Sequence, residues 1–444
     1  MKQQLSISRY GAYKDSGIEW LGEVPAHWLV TRNKDIFEER GDLSISGDET
    51  LLTVSHITGV TRRSEKNVNM FMAETMEGYK LCKAGDLIIN TMWAWMGALG
   101  TANETGICSP AYGVYRPKKH THYDHRYFDY LYRTPHAITE MTRNSKGIVS
   151  SRLRLYPKDF FQIQTALPDA KEQTAIATYL DTQTAQIDRK IELLTQKAAQ
   201  YGKLKQSLIN ETVTRGLDKN VAMKGSGVVW LGEVPAHWEL KRLKELGFLY
   251  SGLVGKSGDD FTDENQYSQP FVPFTNIANN FYLSTTNLKS VVVFPDEKQN
   301  SVRKNDLFFL MSSEDYADLG KSSLLVDDMV KKTYLNSFCK GFRFAKREVS
   351  PVYFNYLLHS SAYRANLSNG GKGFTRINLK MEKINDIKLV TPPLVEQQAI
   401  ATYLDTKTAH INRIVTTINS QIIKLKELRK ALINDIVTGK IKVT

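Results

Sequence analysis

The nine residues WLGEVPAHW occur at Trp20–Trp28 and again, letter for letter, at Trp230–Trp238. An identity this long, 210 positions apart (230 − 20), marks an internal duplication, and a duplicated chain folds as two versions of one plan. A second shared block lies downstream. EQTAIATYLDTQTAQIDRKI, Glu172–Ile191, is answered by EQQAIATYLDTKTAHINRIV, Glu396–Val415, at an offset of 224 (396 − 172). The same offset joins Gly147 to Gly371 and Arg152 to Arg376, and it runs on through the LIN at 208 and 432. Between Trp28 and Gly147 the correspondence nearly vanishes, leaving fragments such as GDLII from 85 against NDLFF from 305. The copies share an opening and a closing segment and differ in the middle.

The closing segments read as helices. Apolar or small residues fall at Leu180, Ile187, Ile191, Leu194, Ala198, Tyr201 and Leu208, the alternating three-and-four spacing of a coiled-coil seam. The second copy keeps the phase with Leu404, Ile411, Val415, Ile418, Ile422, Leu425 and Leu432. Proline introduces each segment, at Pro168 and at Pro392-Pro393, where it suits a helix start. Within the segments 168–213 and 392–437 each helix would run roughly 40 residues, or about 60 Å at 1.5 Å per residue, long for a globular helix. The shared register favours packing on each other over separate packing on two domains. Lys205 and Arg429 interrupt both seams at the same place. A base there fixes register at a cost, or snorkels into solvent, and the long flexible stems favour the second reading.

The rest of the chain divides accordingly. Residues 1–167 are expected to form a first mixed α+β domain and 230–391 a second, with 214–229, which begins TRGLDKNVAMKGSG, as the linker between copies. AYGVYR (from Ala111) and KGFRF (from Lys340) read as strands; HRYFDYLYRT and PVYFNYLLHS read as short helices.

Composition narrows the function classes. Hydrophobic content of 41% and charged content of 24% are those of an ordinary globular protein, and no apolar run reaches a membrane span. No leader precedes the first repeat, and Cys82, Cys108 and Cys339 lack metal or disulfide spacing, so a reducing cytoplasm is expected. Against 47 Asp and Glu stand 59 Lys and Arg, a net +12 with a pI near 9.3, which favours a polyanionic partner such as nucleic acid.

Catalytic motifs fail one by one. LVGKSG around Lys256 resembles a phosphate-binding loop, but Tyr250 stands where its first glycine belongs. The carboxylate–lysine fragments at Pro295 and Asp386 lack a second acid at workable spacing, TPPL at Thr391 lacks the leading amide or acid and the aromatic of a methyltransferase motif, and no glycine-rich cofactor loop is present. The nine histidines form no metal-ligand pair. No cofactor, metal or active site is expected, which speaks against a stand-alone methyltransferase or nuclease.

Bases interleaved with aromatics do occur in both middles. The first holds Arg62, Arg63, Lys66, Arg116, Lys118, Lys119, Arg143, Lys146, Arg152 and Arg154. The second holds Lys331, Lys332, Lys340, Arg343 and, in NGGKGFTRINL, Lys372 and Arg376. These are the candidate DNA contacts, because Lys and Arg neutralise phosphates and Arg can pair bidentately with guanine. Ordinary solvated charge should account for at least half of them. Trp93 and Trp95 alternate as on a strand and are expected in the core, with base stacking as the alternative.

Taken together, KDSGIEWLGEVPAHW, its repeat KGSGVVWLGEVPAHW, the GLDKNVAMK linker and the paired EQxAIATYLD helix starts resemble the DNA specificity subunit of type I restriction-modification enzymes, over the whole chain. The resemblance implies two target-recognition domains, each reading half of a split, asymmetric double-stranded DNA target. It implies that the two long helices form an antiparallel coiled-coil pair separating the domains, with an internal pseudo-two-fold repeat. Two methyltransferase subunits would dock on this scaffold and carry S-adenosylmethionine and the adenine-methylating site; restriction and motor subunits would add cleavage. A non-specific coiled-coil spacer is the remaining alternative, but it would have no reason to vary its two heads. The Trp-rich nonapeptide would serve as a structural staple at each domain's opening, with Pro25 and Pro235 fixing its turn.

Overall fold

A computed structural model describes residues 8–66, 75–149, 152–371, 373 and 376–443. Two compact units emerge, one of residues 1–195 with 419–444, the other of 196–418. Each takes one middle region and half of each long helix, so the boundaries cut across the linear order of the chain.

In the first unit the core sheet has four antiparallel strands in the order Phe37–Arg40, Tyr112–Pro117, Leu87–Asn90, Leu99–Thr101. The second repeats it with Gly247–Ser251, Cys339–Phe344, Leu307–Leu310, Ser322–Leu324. The strands expected at AYGVYR and KGFRF are thus central in both. Two helices pack beside each sheet, His125–Tyr132 and Pro135–Arg143 in the first unit, Pro351–His359 and Ser361–Ser368 in the second. An antiparallel ribbon closes each middle region just before its long helix, Leu29–Arg32 against Gln164–Leu167 and Glu239–Arg242 against Lys388–Thr391.

The fragment shared by the two middles has a physical reason. Asp86 and Asp306 stand at the start of equivalent strands, each preceded by a residue in the left-handed region, Gly85 at φ 90° and Asn305 at φ 68°. Glycine enters that region freely and asparagine is among the few residues that tolerate it.

The long helices span Ala170–Arg215 and Leu394–Val437. In the first unit Ile176, Ala177 and Leu180 share a core with Ile436 and Val437; in the second, Ile209 and Val213 share one with Ile400, Ala401 and Leu404. Within each unit, therefore, the start of one helix lies against the end of the other, and the pair is antiparallel. The seam residues Leu180, Leu404, Ile411 and Ile418 are buried, while Ile187, Ile191, Leu194, Ala198, Tyr201, Leu208, Val415, Ile422, Leu425 and Leu432 are half-buried. Lys205 and Arg429 depart from expectation. Instead of snorkelling, Lys205 Nζ donates to Asn412 Oδ1 at 3.0 Å, and Arg429 Nε lies 3.0 Å from Asp188.

The shared motifs meet each other. At the end of the nonapeptide, Trp28 Nε1 donates to Glu172 at 3.2 Å and His27 Nε2 lies 2.9 Å from the same carboxylate; Trp238 and His237 meet Glu396 at 3.1 and 2.9 Å. Both tryptophans are fully buried. The next residue also repeats its role: Gln173 accepts from Asp124 N–H and Gln397 from Ser350 N–H, at the starts of equivalent helices. Asp181 and Asp405 accept from Tyr130 and Tyr356. The duplicated letters are thus the staples that fasten each mixed α+β region to the first turns of its long helix.

The expected linker is more ordered than its composition suggested. Met223–Gly225 pairs with Glu233–Pro235, as Tyr13–Asp15 pairs with Glu23–Pro25, and Gly216, left-handed at φ 79°, ends the helix against Trp238. Among the described residues no helix is long and apolar enough to cross a membrane.

Candidate nucleic-acid interface

In each unit three loops converge beyond the same end of the core sheet. In the first, the loop after Leu87–Asn90 is tied to the other two at its first residue: Thr91 Oγ1 donates to the Ala111 carbonyl at 2.9 Å, and Leu155 N–H donates to the Thr91 carbonyl at 3.0 Å. In the second, Met311 N–H donates to the Phe338 carbonyl at 3.1 Å, and Leu379 N–H donates to the Met311 carbonyl at 2.8 Å. Leu155 and Leu379 are repeat counterparts (379 − 155 = 224). The scaffold is common to both units, and the side chains it displays are not.

Trp93 and Trp95 occupy the first tip, and their expected strand-core placement is overturned. A short 3-10 turn, Ala94–Met96, is closed by left-handed Gly97, and it lifts Trp93 to 48% exposure. Gly97 sits at φ 83°, a conformation that L side chains rarely adopt, so the turn favours glycine. The two indoles are nearly parallel at 6.2 Å, with Trp95 anchored through Nε1 to the Met92 carbonyl. Beside them, reciprocal backbone bonds join Lys146 and Arg154, and Arg152 is exposed on the loop between them. The second tip carries exposed Tyr316 and Phe338, with Arg376 lying over the Phe338 ring at 4.6 Å.

Geometry sorts the candidate bases. Arg116 makes a two-pronged pair with buried Asp86, at 2.9 and 2.7 Å, and Arg343 does the same with buried Asp306, at 2.8 and 2.6 Å. Each acid holds its arginine above the ordinary guanidinium range. These are counterpart bridges, with both arginines engaged by buried acids. Arg62 is forked onto Glu104, Arg143 onto Glu19, and Lys146 is paired with Asp159. Lys118 donates to the Lys34 carbonyl, Lys340 to Ser251 and Lys66 to Thr58. Arg63, Arg152, Arg154, Lys331, Lys332 and Arg376 make no ion pair among the described residues, although Lys332 lies over the Tyr334 ring at 5.6 Å. Of these, only Arg152, Arg154 and Arg376 stand at the loop tips. Lys372 lies outside the described residues. Sequence reasoning did not find Tyr316 or Phe338, since neither sits in a basic run.

The duplicated chain thus carries matched scaffolds with unlike loop tips, one frame displaying two different surfaces. Residues 235–424 match the family described as type I restriction modification DNA specificity domain. The MjaVIII type I restriction enzyme specificity subunit of Methanocaldococcus jannaschii is 24% identical over 294 residues, which cover 64% of this chain and 64% of that protein, less than two thirds of its length. Among solved structures, a chain of a type I R-M system described for its complex assembly and conformational transition gives a TM-score of 0.69 at 16% identity, covering 93% of this chain and 98% of its own. The HsdS subunit of Thermoanaerobacter tengcongensis gives 0.56 at 15% identity, covering 94% and 98%. The chain is thus similar to type I restriction-modification specificity subunits, the resemblance its motifs carry, and it shares the fold of the two solved structures.

Proposed function

We propose that this chain is the sequence-reading, non-catalytic subunit of a type I restriction-modification complex. Each unit reads one half of a bipartite, asymmetric double-stranded DNA target. Two methyltransferase subunits bind the shared scaffold and methylate adenine in the target; restriction subunits joined to them cleave unmodified DNA. The complex works in the cytoplasm. The observation that carries this reading is the pair of loop tips: one arrangement of three loops, repeated, bearing Trp93, Trp95 and Arg152 in one unit and Tyr316, Phe338 and Arg376 in the other. Identical tips would read identical half-sites, whereas unlike tips on a common frame suit an asymmetric target. The net charge of +12 supplies the sequence-independent attraction to phosphate, so log K should fall steeply with log salt.

The test is selection from a randomised duplex pool by the full chain, with sequencing of the retained duplexes. Two separated blocks of unlike sequence are expected, with Arg152→Ala degrading one block alone. A single continuous block, or equal loss in both blocks on that substitution, would overturn the assignment of one half-site to each unit.

A further inference from the structure

Arg152 and Arg376 are counterparts, yet the structure presents them differently. Arg376 lies flat-on to a ring, its guanidinium carbon 4.6 Å from the centre of Phe338. The residue equivalent to Phe338, the last before the central strand, is Ala111 in the first unit, which offers no ring. Phe338 is held by its backbone, and Arg376 directly precedes a paired strand. Phe338 N–H donates to Asn336 Oδ1 at 2.9 Å and its carbonyl accepts from Met311, while Arg376 runs directly into Ile377, paired with Ser313. The Arg376 side chain is exposed and makes no ion pair among the described residues, in contrast to Arg343 of the same unit, spent on Asp306.

We infer that Arg376, oriented by Phe338, reads a guanine in the half-site of the second unit; the inference rests on the DNA-reading role proposed above. A phosphate asks only for positive charge nearby, and a mobile lysine or arginine serves it as well as a fixed one. A guanidinium held by its face against a ring has one plane and a free edge, and that edge offers two parallel N–H donors. Guanine O6 and N7 in the major groove are the matching pair of acceptors. Fixing the plane in advance lowers the rotamer entropy lost on binding, which favours a directional contact over a diffuse one. The second half-site should therefore contain a G·C pair contacted at this point, and the first half-site need not.

Selection from a randomised duplex pool tests this with the full chain, as wild type, Arg376→Ala, Arg376→Lys and Phe338→Leu. The wild type should demand G·C at one position of the second block. Arg376→Ala should relax that position about ten- to a hundredfold while leaving the first block untouched. Arg376→Lys keeps the charge but lacks the fork, and should relax the same position; Phe338→Leu should do so more weakly. Replacing that guanine by 7-deazaguanine, which lacks the N7 acceptor, should weaken wild-type binding and leave Arg376→Ala indifferent. Uniform weakening of every sequence by Arg376→Ala, with base preference intact and a shallower salt dependence, would mark a phosphate contact and overturn the inference. So would a wild-type second block with no required G·C pair, although two blocks would still uphold the domain assignment. A wild-type chain that enriches no sequence would overturn both. If Arg376→Ala fails to fold, shown by loss of the first block, Arg376→Lys and the 7-deazaguanine arm decide the matter.

Discussion

Arg429 on the second long helix meets Asp188 on the first, its Nε 3.0 Å from a carboxylate oxygen. Lys205 and Asn412 make the counterpart contact, also at 3.0 Å, since both residues are displaced by one repeat (429 − 205 and 412 − 188 are each 224). Seventeen residues forward along one helix correspond to seventeen back along the other (205 − 188 and 429 − 412), so both units keep one antiparallel register. Polar pairs at these seam positions specify that register, and they do so at some cost in stability.

The cost can be measured at Lys205, where burial holds the ammonium below its ordinary range. Lys205→Leu removes the desolvation penalty and leaves Asn412 exposed to water, so no buried polar group is stranded. A gain of about 1 kcal/mol is expected, raising Tm by roughly 2–4 °C in a unit of this size. A lower Tm would show that the hydrogen bond contributes more than the burial costs.

Arg343→Ala should act on stability and leave base preference alone. Asp306 is buried, accepts two bonds from Arg343 and one from Tyr250 at 2.6 Å, and would be left as an underpaired buried charge. Breaking such a pair costs about 3–5 kcal/mol. Urea unfolding of the variant should report that loss, and its selected DNA sequence, where folded, should match the wild type. A changed second half-site with unchanged stability would return Arg343 to the DNA-contacting set.

These assignments separate what the residues announced from what they concealed. Repetition and periodicity made the long helices legible, because both signals survive without knowledge of contacts. The staple Glu172 was within reach of sequence: it opens one duplicated block, and the other duplicated block ends in His27-Trp28, so the two had reason to meet. Arg116 and Arg343 resembled surface bases because their acids lie 30 and 37 residues earlier and meet them only through strand pairing. Trp93 and Trp95 were misread because alternation is also produced by a tight turn, and the left-handed Gly97 that makes the turn changes no hydrophobic pattern. The lone Phe338 gave no signal at all, since its importance depends on Arg376 being folded over it.

Acid should weaken the second unit through His359. Its imidazole donates from Nε2 to the Ser322 carbonyl at 2.8 Å and packs on Phe281, and burial, with Arg364, Lys321 and Lys205 nearby, pushes its pKa down to about 4. The folded state therefore keeps the ring neutral where the unfolded chain, with an ordinary value near 6.5, binds a proton. Stability is full above about pH 6.5 and is lost as pH falls toward about 4, by up to about 3 kcal/mol. His359→Gln should flatten that limb of a urea-midpoint-against-pH curve; an unchanged limb would assign the acid sensitivity to other groups.

The repeat also predicts what half of the chain does. In residues 1 to about 225 the first long helix lacks its partner, but a second copy can supply one, because the seam of Leu180–Leu208 repeats that of Leu404–Leu432. Carrying the register over by one repeat sets Asp188 of one copy against Lys205 of the other, and two-fold symmetry forms the contact twice. The full chain pairs an acid with an arginine once and a lysine with an amide once; the fragment would have two opposite-charge pairs. We predict that the 1–225 fragment dimerises and, given the methyltransferase partner, modifies a palindrome of the first half-site. Asp188→Lys should weaken the dimer and Asp188→Lys combined with Lys205→Asp should restore it, read by light scattering at low ionic strength. A folded monomeric fragment, or an Asp188→Lys dimer as tight as the parent, would refute the transferred register.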